Sequence, residues 1–163
     1  MKIPTKKIVF AAVIGAIYAV LTIILKPISY GPLQIRISEA LTVLPFFSSF
    51  SILGLTIGCF IANIFGDVGM LDIIFGPMAT LLAAILTYLI GKLNFKFNKF
   101  LAPIPPIVIN GIVVGKILNY TQNFPLIPTI LWVGFGELIA CYIIGLPLMS
   151  LIEKNPKLKS YLT

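Results

Sequence analysis

Six apolar runs, at 8–25, 37–47, 52–65, 71–90, 104–118 and 126–151, occupy most of this 163-residue chain. A hydrocarbon core about 30 Å thick takes about 20 helical residues. The first, fourth and sixth runs meet that length, and the fifth does so once Leu101 and Tyr120 are included. Only 10% of the residues are charged and 59% are hydrophobic, whereas a soluble domain carries roughly a quarter charged. The chain therefore reads as an all-α, polytopic helical bundle of the cell membrane, a single domain over 1–163 with no linker or composition shift dividing it. The opening MKIPTKK imitates a signal peptide, but the apolar run continues to Leu25 without a small-residue cleavage pattern, so a retained first span is expected.

The stretch 37–65 would be about 43 Å long as one helix, too long for an ordinary span. Pro45 and the pair Ser48-Ser49 suggest a break into two shorter helices. Charge sets the count. With six transmembrane spans, Lys2, Lys6 and Lys7, then Lys92, Lys96 and Lys99, then Lys154, Lys157 and Lys159 all share one side, which the positive-inside rule makes cytoplasmic. Five spans would move the middle loop and the tail outside. Six spans with both termini cytoplasmic are therefore expected, and the net charge of +7 reflects topology and not a nucleic-acid surface. The longest outer loop, KPISYGPLQIR, has two prolines and a glycine that disfavour helix; it serves as a lid or as a plain connector.

The chain has no histidine, and Cys59 and Cys141 lie inside apolar runs as packing residues. Zinc and Cys/His nucleophile schemes have no footing, so no metal, cofactor or catalytic residue is expected. Glu39 opens the second run, Asp72 the fourth, and Glu137 lies about 17 Å down the sixth. An acid at that depth costs about 2.5–3.5 kcal/mol and normally faces a cavity; a structural pair with Lys116 or Arg36 is the other reading. Asn63 and Asn110 serve either interhelical hydrogen bonds or a site. Together, Glu39, Asn63, Asp72, Asn110 and Glu137 form a polar set at outer to middle depth, while the inner halves of the runs hold almost nothing polar. That pattern suits a pocket facing outside. With three acids against Arg36, it favours a ligand rich in donors or positively charged, and a carboxylate accepting two parallel N–H bonds reads the edge of a planar heterocycle. Tyr30 and Trp132 would stack on such a ring, unless Trp132 belongs to an interfacial belt. Pro77 would kink or restart the fourth helix. In the first helix, Ala12 with Ala16, and Gly15 with Ala11 and Ala19, form small-residue stripes that admit a close helix, internal or from another subunit.

GPLQIRISEALTVLPFF, GLTIGCFIANIFGDVGMLDIIFGPMATLLAA, LAPIPPIVIN and VGFGELIACYIIGLPL resemble the QueT family over about 11–148. That family comprises substrate-binding S components of energy-coupling factor (ECF) transporters, associated with uptake of the queuosine precursor preQ1, 7-aminomethyl-7-deazaguanine. The resemblance implies a six-helix S component that binds a deazaguanine base from outside and docks, through Ala12 and Ala16 flanking Gly15, on a membrane scaffold subunit with two cytoplasmic ATPases. No GxxxxGK[ST] loop occurs in this chain, so ATP hydrolysis would come from those partners. For such a ligand, Glu137 with Asn110 would take the guanine edge, Asp72 or Glu39 with Asn63 the ammonium, and Arg36 would hold the loop to Glu39. Queuine or another deazapurine fits the same set. The alternative is a solitary proton-coupled carrier of a small cationic heterocycle working through Glu137, although the inverted repeat common in such folds is not visible.

Overall fold

The computed structural model of the chain describes residues 5–30 and 34–162. Helix α1 spans Thr5–Ile24, and α2 is a short turn over Lys26–Ser29. Pro27 sits in the first turn of α2, where a missing amide costs nothing, so the outer loop is partly helical despite its prolines. Residues 31–33 of that loop lie outside the described residues, as do Lys2 and the rest of 1–4.

The second run, expected as an α-helix over 37–47, forms instead a 3₁₀ helix over Ile37–Phe46. Ten residues exceed the usual length of such a helix, and side chains help to hold it. Thr42 Oγ1 and the Cys141 thiol both donate to the Glu39 carbonyl, at 2.5 and 3.4 Å. The break expected near Pro45 and the serines falls at Phe47–Ser49 by position, since Pro45 closes the 3₁₀ helix and α3 begins at Phe50.

Helices α3 (Phe50–Ile64) and α4 (Met70–Lys92) follow, then α5 (Asn98–Leu101) and α6 (Ile104–Gln122). Of the two outcomes expected at Pro77, the helix does not restart there; α4 runs through it. Asn63 Nδ2 donates to the Asp72 carbonyl at 2.8 Å, supporting the turn beside the carbonyl that Pro77 leaves without a helical donor. Pro105 and Pro106 open α6 and Asn123 ends it in the left-handed conformation. The last run is α7 (Leu126–Leu138), a π-helical segment (Ile139–Gly145) and α8 (Leu146–Lys154), with α9 (Pro156–Leu162) folding back. The wider π register precedes Pro147, which cannot donate to the Ile143 carbonyl.

Four stretches, Thr5–Ile24, Met70–Lys92, Asn98–Gln122 and Leu126–Lys154, are long and apolar enough to cross a membrane, while the 3₁₀ helix and α3 are shorter. No strand occurs among the described residues. Polarity is inverted relative to a soluble protein. Ile17, Leu53, Phe60, Leu82 and Leu131 are exposed, while Thr22, Ser38, Thr80, Glu39, Asp72 and Glu137 are buried. This is a multi-pass membrane bundle. One end collects Lys7 against the Phe50 ring, Lys92 against the Tyr88 ring, and Lys99 bonded to Glu153 and Ser150. Lys26 pairs with Asp67 at 2.8 Å at the other end.

Helices α1 and α3 touch backbone to backbone. A Cβ on Gly15 would meet the Gly54 carbonyl at 2.7 Å, and one on Gly58 would meet the Gly15 carbonyl at 2.6 Å. Gly15 is thus packed directly on α3, while Ala12 and Ala16 are exposed. Gly58→Ala is expected to lower stability by about 1–3 kcal/mol through overpacking, whereas Ala12→Leu leaves it unchanged; thermal unfolding in detergent measures both.

Candidate functional site

Two linked polar clusters fill the bundle interior. The first joins the outer loop to α3 and α4. Arg36, at the N-cap of the 3₁₀ helix, donates from Nη2 to Asp72 Oδ2 at 3.3 Å, from Nη1 to Asn63 Oδ1 at 3.2 Å, and from Nε to the Ser29 carbonyl at 3.3 Å. Its guanidinium lies 5.2 Å from the Tyr30 ring centroid, a cation–π contact out of water. Tyr30 in turn donates to the Ala62 carbonyl at 2.6 Å. Burial pushes its phenol up to about 12, so it stays a donor at physiological pH. Gly76 makes room for this cluster, since a Cβ there would collide with Asn63 Nδ2 and lie 3.1 Å from Asp72 Oδ1.

The second cluster sits between the 3₁₀ helix, α6 and α7. Asn110 Nδ2 donates to Glu39 Oε2 and to Glu137 Oε1, at 3.3 Å each. Tyr18 of α1 donates to Glu39 Oε1, and the Cys141 thiol lies 3.9 Å from Glu137 Oε2. The hydroxyls of Thr22 and Ser38 bond each other at 2.6 Å nearby. Arg36 is committed to Asp72 and Asn63, so Glu39 and Glu137 are bonded only by neutral donors. The set carries one positive and three negative formal charges, and the excess falls on these two acids.

All five central residues expected from the sequence come together, at 1–3% exposure, but three assignments change. Arg36 bonds Asp72 and not Glu39, because the 3₁₀ helix starts at Ile37 and its N-cap faces α4 across the loop. Glu39 accepts from Tyr18 and Asn110, while Asn63 pairs with Asp72, so of the two acids expected beside Asn63 it is Asp72 that meets it. Trp132 is 54% exposed on α7 and lies outside the cluster; Tyr30 stays inside, with one face on Arg36. Lys116 is exposed, and the structural pair with Glu137 does not form.

Sequence reading missed Tyr18, Ser29 and Gln34. Tyr18 is hidden in an apolar run, and Gln34 and Ser29 sit in a loop whose buried side has no periodicity. Gln34 Oε1 and Nε2, Ser29 Oγ, Asp72 Oδ1 and Asn110 Oδ1 are buried with no hydrogen-bond partner among the described residues. Each such group costs about 1–3 kcal/mol if nothing ever meets it, and Ser29, Asp72 and Asn110 lie within the charged set, which makes that set the candidate site.

Acids and amides sealed within a lipid-facing helical bundle define a membrane protein of the transport class. The chain belongs to the QueT transporter family, whose sequence profile matches residues 8–154. It is 43% identical over 82 residues to the protein of Lactococcus lactis subsp. cremoris (strain MG1363) named "Queuosine precursor transporter QueT". That match covers 49% of this chain and spans about half the length, 48%, of the curated relative. No solved structure matches.

Removing one partner of a buried ion pair strands the other, at a cost of about 3–5 kcal/mol. Asp72→Leu is expected to lose that much stability, and the Arg36→Met, Asp72→Leu double variant to regain most of it. Unfolding midpoints of the two variants in one detergent give the comparison.

Proposed function

We propose that this protein is the substrate-capture (S) component of an ECF-type importer, taking up preQ1 or a closely related deazapurine through a site facing outside. The observation that carries the reading is the pair of acids Glu39 and Glu137, bridged by Asn110, with no lysine or arginine bonded to either among the described residues. A 7-deazaguanine offers ring N–H and amino donors along one edge, which Glu137 with Asn110 accepts. Its aminomethyl group is a cation that wants a second acid. Of the two candidates, Glu39 is favoured, because Asp72 already holds Arg36. The name of the Lactococcus lactis relative supports a queuosine precursor as the solute.

Six spans with cytoplasmic termini agree with the shared basic end that gathers Lys7, Lys92 and Lys99. The 3₁₀ helix, at about 2.0 Å per residue, and α3, at about 1.5 Å, each extend roughly 20 Å, so both would cross a thinned or irregular part of the bundle. On the outer face of α1 and α3, Ala12 and Ala16 lie in an apolar groove of about 420 Å³ with Ile8, Phe50, Leu53 and Ile57. A groove floored by small residues takes a helix closely, and the occupant proposed is a helix of the membrane scaffold subunit. Two cytoplasmic ATPases would supply the hydrolysis for which this chain has no phosphate-binding loop.

Calorimetry of the purified protein with preQ1, queuine and guanine tests the ligand. Tight binding of preQ1 is expected, and equal weak binding of all three refutes the deazaguanine site. Glu137→Gln removes a charge-assisted bond worth about 1.5–3 kcal/mol and should weaken preQ1 binding by about ten- to over a hundredfold while the protein stays folded. The Ala12→Leu, Ala16→Leu double variant should bind preQ1 normally yet support no uptake in cells. Ligand movement by the wild-type chain alone in vesicles without ATP would instead identify a solitary carrier.

A further inference from the structure

Gln34 has a buried carboxamide that none of the interactions above uses. It is 1% exposed, and both its Oε1 and its Nε2 lack a partner among the described residues. Its backbone sits at φ 43°, in the left-handed region that residues other than glycine seldom adopt. Strain held together with an unpaired buried amide marks a position set for something other than packing. Gln34 and Arg36 are both buried, with Ile35 between them partly exposed. The carboxamide thus belongs to a buried residue two positions from the guanidinium that reaches Asp72 and Asn63. Ser29, whose carbonyl accepts from Arg36 Nε, adds a second unpartnered buried group, its hydroxyl.

We infer that Gln34 reads the ligand, its carboxamide taking an adjacent acceptor and donor on one edge of a planar base. The inference rests on the deazaguanine reading of the site and deepens it. Carboxylates present acceptors only, whereas a carboxamide presents an acceptor and a donor side by side. In a 7-deazaguanine, the acids and Asn110 meet the edge bearing N1–H and the exocyclic amine, and the ammonium. The adjacent acceptor–donor pair left over is ring N3 with N9–H. That pair exists in the free base and is lost once N9 carries a substituent, so Gln34 sets a preference for free base over nucleoside.

The test titrates purified full-length protein with preQ1 and with its N9-methyl derivative. Wild type is expected to favour the free base by at least about tenfold. Gln34→Leu keeps the burial and removes both amide atoms; it should weaken binding of the free base by about tenfold or more and bring the two ligands to similar affinity. Gln34→Met keeps the size but removes both polar atoms, and it should shift both readouts the same way, which decides the matter if the leucine variant does not fold. Variants that bind the two ligands as wild type does, or that weaken both equally, overturn the Gln34 assignment alone. A wild-type protein that binds neither base overturns the deazaguanine reading of the site and this inference with it.

Discussion

A guanidinium inside an apolar bundle has no water to turn to, so its partners fix the geometry around it. Arg36 meets that demand with three elements at once: Asp72 at the head of α4, Asn63 near the end of α3, and the Ser29 carbonyl at the end of α2. Those bonds tie the outer loop to the helices beneath it and decide the electrostatics of everything deeper. Because Arg36 is spent on Asp72, the acids of the second cluster are left with a phenol, an amide and a thiol. The excess of acid over base in the interior therefore falls on that second cluster. Gly76 and Tyr30 belong to the same arrangement, one by leaving space for Asn63 and the other by covering the guanidinium face.

The two irregular helices serve this arrangement. In a 3₁₀ helix, residues three apart eclipse, which aligns Glu39 with Thr42 along one inward line. An α-helix would fan those side chains apart by about 60°. The π segment opposite carries Cys141 and Gly145, and a Cβ on Gly145 would lie 3.2 Å from the Ala40 carbonyl. Only glycine lets the two backbones approach so closely. Non-α backbone is tolerated at this depth where its inner side is buried in protein, and the Glu39 carbonyl of the 3₁₀ helix takes donors from the Thr42 and Cys141 side chains.

Hydropathy and lysine placement made the apolar runs legible, and the cost of burying an acid singled out Glu39, Asp72 and Glu137 before any fold was known. The 3₁₀ and π registers were not legible, since they differ from α by which carbonyl each amide chooses, and packing decides that choice. The partner of Arg36 was missed for a related reason. Proximity in sequence pointed to Glu39, while the loop geometry turns the guanidinium toward α4. Trp132 shows the limit of composition, because an aromatic residue on a lipid-facing helix fits a stacking platform and a belt equally well until its face is known. Gln34 has no pattern around it; only its burial and its φ of 43° distinguish it.

Helix α1 shows most clearly why faces, and not residues alone, carry the meaning. Each step along an α-helix turns about 100°, so the stripe of Ala11, Gly15 and Ala19 and the stripe of Ala12 and Ala16 lie side by side and point to different neighbours. The first is filled by α3 through Gly54 and Gly58. The second stays open to the outside of the bundle. Tyr18, two residues beyond Ala16, is turned about 200° from it and reaches inward to Glu39. One helix thus presents its outer face to the membrane and its inner face to the acid pair, with a glycine seam between α1 and α3. Backbone packed on backbone yields little, so α1 and α3 behave as one rigid wall. The open groove and the buried acid set lie on opposite sides of that wall, so substitutions in one leave the other in place.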